Sequence, residues 1–152
     1  MNIILGILLI FVSVGFGYVF SDKFTKRKIF FTSFKEFNEK IKAQIGFTNN
    51  SLVKIIDEID VKDDFYKVLS SIVKTDADLK IKYINSEELD FVKSYINQIM
   101  NSDNATLKGF TADYSIKILN FYDKSINDEK KYKPLYIKLS FLVGLIALII
   151  LL

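Results

Sequence analysis

The stretches IILGILLIFVSVGFGYVF at residues 3–20 and LSFLVGLIALIILL at residues 139–152 contain no charged side chain. A helix rises about 1.5 Å per residue, so the first stretch spans about 27 Å, close to a bilayer hydrocarbon core of about 30 Å. Extending the second stretch back to Leu135 gives it the same length. The extension adds Tyr136, which suits the headgroup level, and Lys138, whose amine can reach the interface. We therefore predict two transmembrane helices.

Each apolar stretch has an alternative interpretation. A cleaved signal peptide is the alternative for residues 3–20, but Met1-Asn2 is not basic and Tyr18-Val19-Phe20 is a poor cleavage site. A buried core helix is the alternative for residues 139–152, but this stretch has no polar face after Ser140. Both patterns favour membrane anchors.

Basic side chains lie at the end of each predicted span that leads into the central sequence. Under the positive-inside rule, they predict that the central sequence lies in the cytoplasm. These side chains are Lys23, Lys26, Arg27 and Lys28 after the first span, and Lys130, Lys131, Lys133 and Lys138 at the second.

The composition restricts the chemistry that the chain can perform. The sequence contains no Cys and no His, which excludes disulfides, thiolate nucleophiles, imidazole bases and the usual zinc and haem ligand sets. The net charge of +3 is explained by the basic residues beside the spans, so no nucleic-acid partner is expected. Gly15-x-Gly17 lies inside a span and is not a phosphate loop. We predict no enzymatic activity, no cofactor and no small-molecule substrate.

The first half of the central sequence has the periodicity of three amphipathic helices. The first covers residues 26–45, where Phe31 widens the apolar face, and a break follows at Gly46 to Asn50. Asn50 is the expected N-cap of the second helix, and Asp60 with Asp63 the capping pair of the third. The apolar positions of the three helices are Phe30, Phe34, Phe37, Ile41 and Ile45; Leu52, Val53, Ile55, Ile56 and Ile59; and Phe65, Val68, Leu69, Ile72 and Val73.

The apolar spacing in the second half of the central sequence predicts two further helices. Residues 75–84 are expected to be a loop or a short helix, and Asn85 with Glu88 fits a capping box. A turn is expected at residues 101–104, and Pro134 should kink or end the last helix. The apolar positions are Leu89, Val92, Tyr95, Ile96 and Ile99, then Leu107, Phe110, Tyr114, Ile118, Phe121 and Tyr122.

Together these patterns predict an all-α protein. A cytoplasmic helical bundle of about five to six helices, residues 22–133, would be flanked by transmembrane helices at residues 1–21 and 134–152. The acidic pairs Asp63-Asp64 and Glu87-Glu88 are interpreted as solvated first-turn charges, because adjacent helix residues do not face each other.

Two pairs of small residues in the spans would let another helix come close. They are Ser13-x-x-x-Gly17 and Ser140-x-x-x-Gly144, both of the small-xxx-small type. The alternative is a chance occurrence, since small residues are common in spans. We predict helix packing in the membrane at Ser13, Gly17, Ser140 and Gly144.

Several short motifs occur along the chain. They are Gly17-Tyr18 at the end of the first span, Arg27, residues 41–47 (IKAQIGF), Leu52, Met100-Asn101 with Asp103, and residues 138–145 (KLSFLVGL). In these positions the chain resembles, from end to end, the stage III sporulation protein AB family, which has in the same order a Gly-Phe, an Arg, a Leu-Glu-x-Glu-Ile-x-Tyr/Phe run, a Thr-Pro-Leu, a helix ending in Leu-Gly-x-x-Asp and a Ser-Leu-Gly-Phe-Leu-Ala-Gly-Leu signature.

Several positions depart from the family pattern. Lys28 replaces a Pro, Asn50-Ser51 replaces Thr-Pro, and Gln44 replaces the second Glu, so no salt bridge or partner contact through that carboxylate is expected. Asn101 and Ser140 each replace a Gly, and the region around residues 75–84 is shorter and lacks the family's Trp.

The resemblance implies a structural part of a secretion-like machine. Family members resemble the cytoplasmic domain of type II secretion platform proteins and lie in the mother-cell membrane engulfing the forespore. The implied partners are the lipid bilayer, a cytoplasmic secretion-type ATPase and other stage III sporulation channel proteins. We expect partner docking near Gln44, Gly46, Phe47, Asn50 and Leu52.

Two other functions stay open at this stage. One is a membrane-anchored secretion or pilus platform, or an adaptor, outside sporulation. The other is a small transporter or channel subunit, although such a protein should carry polar groups in its spans, and here only Ser13, Ser140 and the glycines qualify.

Overall fold

Helices account for nearly all of the structure. The computed structural model describes residues 2–44, 63–75, 80–102 and 104–151, and within these ranges the chain is all-helical and contains no strand. The four helices in these ranges are α1 (Asn2–Gln44), α2 (Asp64–Thr75), α3 (Ser86–Asn101) and α4 (Asn104–Leu151). The all-α prediction is confirmed.

The described ranges hold fewer helices than the sequence predicts. α1 joins the first predicted span to the helix predicted at residues 26–45, because no Gly or Pro interrupts residues 18–45. α4 joins the last amphipathic helix to the second span, although Pro134 lies between them. The second predicted helix, with its Asn50 cap and Leu52 to Ile59, lies outside the described residues.

α4 continues through Pro134. Of the two effects predicted for this residue, a kink or an end, the end does not occur. Proline removes one backbone donor and disturbs the carbonyl four residues earlier, here that of Lys130. Pro134 and Lys130 are both exposed, so polar surroundings can hydrate that carbonyl in place of the missing donor.

The chain forms two compact units. The terminal unit consists of Met1–Lys28 with Lys124–Leu152, and the central unit consists of Ile29–Asp123. α1 and α4 each contribute residues to both units, whereas α2 and α3 lie wholly in the central unit.

The core of the central unit is rich in aromatic side chains. Phe34 is fully buried and lies 5.2 Å from Phe65 and 5.1 Å from Tyr95 between ring centroids, so one α1 residue contacts rings of both α2 and α3. Burial of such a side chain contributes about 1.5–3 kcal/mol. Most described residues of the predicted apolar faces are buried, namely Phe30, Phe31, Phe34, Phe37, Ile41, Phe65, Val68, Leu69, Leu89, Val92, Tyr95, Ile96, Ile99, Leu107, Phe110 and Ile118. The predicted positions Ile72, Val73, Tyr114, Phe121 and Tyr122 are partly buried against this core, and Ile45 lies outside the described residues.

Asp63 caps the start of α2. Its carboxylate accepts hydrogen bonds from the backbone N–H of Phe65 at 3.0 Å and of Tyr66 at 3.3 Å, which satisfies donors that the first turn leaves unpaired. Asp60, its predicted capping partner, lies outside the described residues. Asp64, next in sequence, is paired with Lys67 at 2.7 Å.

Asn85 and Glu88 form the predicted capping box at the start of α3. The Asn85 side chain accepts from the Glu88 backbone N–H at 2.7 Å, and the Glu88 carboxylate accepts from the Asn85 backbone N–H at 3.3 Å. The interpretation of Glu88 as a solvated charge is wrong, because its side chain turns back to the cap and is only 1% exposed.

The connections between the helices are short where they are described. Of the predicted loop or short helix at residues 75–84, Thr75 ends α2, residues 76–79 lie outside the described residues, and residues 80–84 are not helical. The Ile84 N–H donates to the Ile81 carbonyl at 3.2 Å, the hydrogen bond of a turn, so residues 80–84 agree with the loop alternative. Asn101 ends α3 and Asn104 begins α4, so the first and last residues of the predicted turn at residues 101–104 are helical, and Asp103 lies outside the described residues.

Candidate membrane and partner sites

The terminal unit has an apolar exterior. Phe11, for example, is 74% exposed in the middle of the first stretch. Soluble proteins seldom expose contiguous apolar patches larger than a few hundred Å², whereas a lipid-facing helix requires such a surface. Both helices are long and apolar enough to cross a membrane. The exposed side chains are Ile4, Leu5, Ile7, Leu8, Phe11, Val12, Phe16, Val19 and Phe20 on α1, and Leu135, Leu139, Phe141, Leu142, Val143, Ile146, Ile149 and Ile150 on α4.

The two apolar segments run antiparallel and in contact. As the residue number rises along α1, the number of its contact residue on α4 falls. Ile10 contacts Gly144, whereas Thr25 contacts Glu129. This pairing, from Gly6 with Leu148 to Thr25 with Glu129, is called the helix pair below.

The four predicted helix-packing residues lie together in the helix pair. The Ser13 hydroxyl donates a hydrogen bond to the Ser140 carbonyl. A Cβ added to Gly17 would lie 2.7 Å from the Ser140 Cβ, and one added to Gly144 would lie 3.3 Å from the Ser13 Cβ. The small side chains therefore allow the two backbones of this chain to approach each other closely. Sequence reasoning missed Gly6, which faces Leu148.

A cluster of charged and polar side chains lies at one end of the helix pair, and we call it the polar collar. It comprises Thr25, Arg27, Lys28, Asp128, Glu129 and Lys133. Arg27 donates to Asp128 at 2.7 Å, and Lys28 donates to Glu129 at 2.6 Å. The second Glu129 oxygen accepts from the Thr25 hydroxyl at 3.0 Å, and Lys133 donates to that hydroxyl at 3.0 Å.

Glu129 is the centre of this cluster. Its side chain is 15% exposed, and burial alone would raise the pKa of its carboxyl. Hydrogen bonds from Lys28 and Thr25, together with the positive charges of Lys28 and Lys133, outweigh the burial and hold the pKa of Glu129 below its ordinary value. The basic residues predict the orientation of the chain, but their carboxylate partners could not be predicted, because they lie about 100 residues away along the sequence.

Aromatic rings adjoin the collar. Phe24 is stacked on Tyr132 with centroids 5.4 Å apart and lies 5.6 Å from Tyr136. The Lys23 amine lies 5.0 Å from the Tyr136 ring centroid and donates to its hydroxyl at 3.4 Å. Tyrosine rings beside cations are typical of the level where hydrocarbon gives way to headgroups.

A chain of buried polar groups connects three helices of the central unit. The Tyr95 hydroxyl donates to Asn38 Oδ1 at 2.7 Å, Asn38 Nδ2 donates to the Ser115 hydroxyl at 2.8 Å, and Ser115 donates to the Thr111 carbonyl at 2.5 Å. Burial and the charge of Glu39 raise the pKa of Tyr95, so this hydroxyl stays protonated and acts as a donor. These bonds fix the register of α1, α3 and α4 in the core.

Two open grooves lie on the surface of the central unit. The first has a volume of about 460 Å³, and in it the Lys35 amine lies 4.4 Å from the Tyr122 ring centroid. The second has a volume of about 450 Å³, and Lys117 lies 5.3 Å from the Phe91 ring centroid. The first is lined by Thr32, Lys35, Glu36, Glu39, Lys40, Ala43 and Tyr122, and the second by Glu87, Phe91, Ser94, Asp113, Tyr114, Lys117 and Phe121.

Only the first residue of the predicted docking stretch lies within the described structure. Gln44 is the last residue of α1, and Gly46, Phe47, Asn50 and Leu52 lie outside the described residues. The first groove reaches Ala43, directly before this stretch.

Comparison with known proteins gives no relative for this chain: no family model matches it, and neither a curated protein nor a solved structure does so.

Proposed function

We propose that this chain is a two-span membrane protein that holds its central unit in the cytoplasm as a docking platform. Its partner would be the secretion-type ATPase of the stage III sporulation channel, and its location the mother-cell membrane around the forespore. The membrane part is supported by the apolar exterior of the helix pair. The partner and the location are supported by the resemblance to the stage III sporulation protein AB family.

The charge distribution supports the orientation. The terminal unit contains nine Lys or Arg and three Asp or Glu, a net charge of +6, and all twelve fall within residues 22–28 and 124–138. The contacts between Arg27 and Asp128 and between Lys28 and Glu129 bring the two basic segments to the same end of the helix pair. A hairpin with all of its cations at one end fits the positive-inside rule with that end in the cytoplasm.

Cysteine labelling tests this orientation, because the natural chain contains no Cys. A Gln98→Cys variant places a thiol at an exposed site of the central unit, and an Asn2→Cys variant places one at the opposite end of the first span. We expect an impermeant maleimide to label residue 98 only after the cells are opened, and residue 2 in intact cells. Labelling of residue 98 in intact cells would overturn the orientation.

Co-purification tests the platform role. The full chain, extracted in mild detergent, should retain the ATPase when the two are produced together. Charge reversal in the first groove, Glu36→Lys with Glu39→Lys, should weaken retention, because this groove adjoins the predicted docking stretch. The matched control reverses two acidic residues of the second groove, Glu87→Lys with Asp113→Lys.

The possible results test the proposed docking surface and the proposed partner separately. Loss of the ATPase from the first variant alone would support docking beside residue 44, and equal loss from both variants would indicate a general charge effect. If the full chain retains no ATPase in detergent or in native membranes, the proposed partner is wrong.

A further inference from the structure

An apolar groove runs along the outside of the helix pair. It has a volume of about 490 Å³ and is lined by Val14 of α1 and by Ile137, Lys138, Phe141 and Leu142 of α4. That volume lies within the range of about 300–1,000 Å³ typical of ligand sites. Lys138 contributes the one charged group among these five lining residues.

Lys138 lacks an acidic side chain within one helical turn. The neighbours that share its face are Pro134 and Leu135 before it and Phe141 and Leu142 after it. α1 supplies no carboxylate at this depth, because its first acidic residue is Asp22. A lysine near the end of a membrane segment extends its ammonium group to the interface, where an anionic headgroup can pair with it.

The geometry of α4 directs Lys138 toward the headgroups. Helical side chains lean toward the N-terminus of their helix, which for α4 is the direction of the polar collar. Lys131 precedes Lys138 by seven residues, which places it on the same face, about 10 Å away along the axis. Both side chains are exposed and long enough to approach one anion between them.

We propose that this groove binds an anionic phospholipid, with one acyl chain against Val14, Phe141 and Leu142 and its phosphate at Lys138 and Lys131. The apolar lining fits the chain and the two cations fit the phosphate. The net charge of +6 on the terminal unit favours an anionic over a zwitterionic headgroup. The inference rests on the membrane insertion proposed above and adds a lipid class to it.

Tryptophan quenching by brominated lipid tests the proposal, because the natural chain contains no Trp. A Phe141→Trp variant of the full chain carries a single reporter in the groove, and a Phe11→Trp variant carries one on the lipid-facing side of α1. Each is reconstituted into phosphatidylcholine vesicles containing a minor fraction of phosphatidylglycerol, and either lipid is brominated in turn. Circular dichroism of each preparation confirms the helix content.

A bound anionic lipid predicts selective quenching in the groove. The Phe141→Trp reporter should show about a fivefold preference for brominated phosphatidylglycerol, and the Phe11→Trp reporter should show quenching in proportion to the bulk composition. Adding Lys138→Gln to the Phe141→Trp variant should abolish the preference. Adding Lys130→Gln, which removes the same charge about two turns before Lys138 and about 80° around the helix axis, should leave it unchanged.

A second pair of variants tests the acyl-chain part. Val14→Phe fills the groove and should reduce the preference at the Phe141→Trp reporter, while Val12→Phe, at an exposed position of α1, should not.

Other outcomes would overturn the proposal in distinguishable ways. Equal quenching by the two brominated lipids at Phe141→Trp would mean ordinary lipid contact without a site. Absence of quenching by either lipid there, with normal quenching at Phe11→Trp, would mean that a protein surface covers the groove. Absence of quenching at Phe11→Trp as well would refute membrane insertion, and with it the proposed function.

Discussion

Gly144 on α4 lies directly against the backbone of Ile10 on α1: a Cβ added at position 144 would lie 2.9 Å from the Ile10 Cα. The obstacle is a backbone atom rather than the flexible end of a side chain, so a larger residue would force the helices apart. Gly15, in the same membrane segment as Ile10, has open space around the position of its missing Cβ.

Gly144→Ala should therefore destabilise the helix pair. We expect a loss of about 1–3 kcal/mol in the free energy of unfolding, the usual cost of overpacking a close contact. Gly15→Ala is the matched control and should cost nothing measurable. Unfolding of the full chain in mixed micelles, titrated with a denaturing detergent, provides the measurement, and equal stability of the two variants would contradict the observed packing.

Glu129→Gln should weaken the polar collar. The neutral side chain loses the ion pair with Lys28, and the expected cost is about 1 kcal/mol because Lys28 is partly exposed to solvent. Asp22→Asn is the control, since its pair with Lys26 is half exposed on both sides and such surface pairs contribute little. Thermal unfolding of both variants at pH 7 would reveal the difference, and a larger shift for Asp22→Asn would refute this ranking.

The contribution of Glu129 to the stability of the folded chain should decrease as the pH falls. Its pKa in the folded chain is lower than the ordinary value of 4.5, so the folded state favours the ionised carboxylate. The stabilisation is therefore fully present above about pH 4.5 and is lost as the pH falls through the lower folded-state pKa. The stability difference between the natural chain and Glu129→Gln, measured from pH 7 to pH 3, should shrink toward acid; growth toward acid would reverse the sign assigned here.

Tyr95→Phe should destabilise the central unit despite its small change in volume. The substitution removes the hydroxyl that donates to Asn38 Oδ1 and leaves that oxygen buried without its donor, at an expected cost of about 1–3 kcal/mol. Tyr18→Phe, at an exposed position, is the control and should be neutral. A double-mutant cycle with Asn38→Ala isolates the pair: additive effects of the two substitutions would mean that the bond contributes nothing.

Phe34→Ala should have the largest effect of these substitutions. The ring is fully buried and contacts Phe65 and Tyr95, so its removal leaves a cavity and should cost about 3–5 kcal/mol. Ile116→Ala, at a side chain that is 66% exposed, should change stability by less than about 0.5 kcal/mol. Chemical denaturation followed by circular dichroism compares the two, and similar midpoints would show that Phe34 is not a core residue.

Local patterns predicted the helical character and much of the core. The three-to-four-residue spacing of Phe30, Phe34, Phe37 and Ile41 identified the buried face of α1, because helical periodicity is a property of the sequence alone. The capping box at Asn85 and Glu88 was predictable for the same reason, since both partners lie within four residues.

The number of helices was harder to predict, because a change in polarity resembles an end of a helix. α1 passes from an apolar to an amphipathic segment without a break, since residues 18–45 contain no Gly or Pro. α4 passes through Pro134, which sequence reasoning treated as a boundary. A change of surroundings along a helix alters which side chains are favoured, but it does not remove the backbone hydrogen bonds that continue the helix.

The sequence by itself determined that the chain is helical, that two of its segments suit a bilayer and that its cations adjoin those segments. Only the tertiary structure decided which partners the helices find: Arg27 with Asp128, Gly144 with Ile10, and Tyr95 with Asn38. The physical reason is the separation along the sequence over which each kind of interaction acts. Periodicity, capping and hydrophobicity act between residues a few positions apart, whereas these ion-pair, hydrogen-bond and backbone contacts join residues that are 57 to 134 positions apart and that only folding brings together.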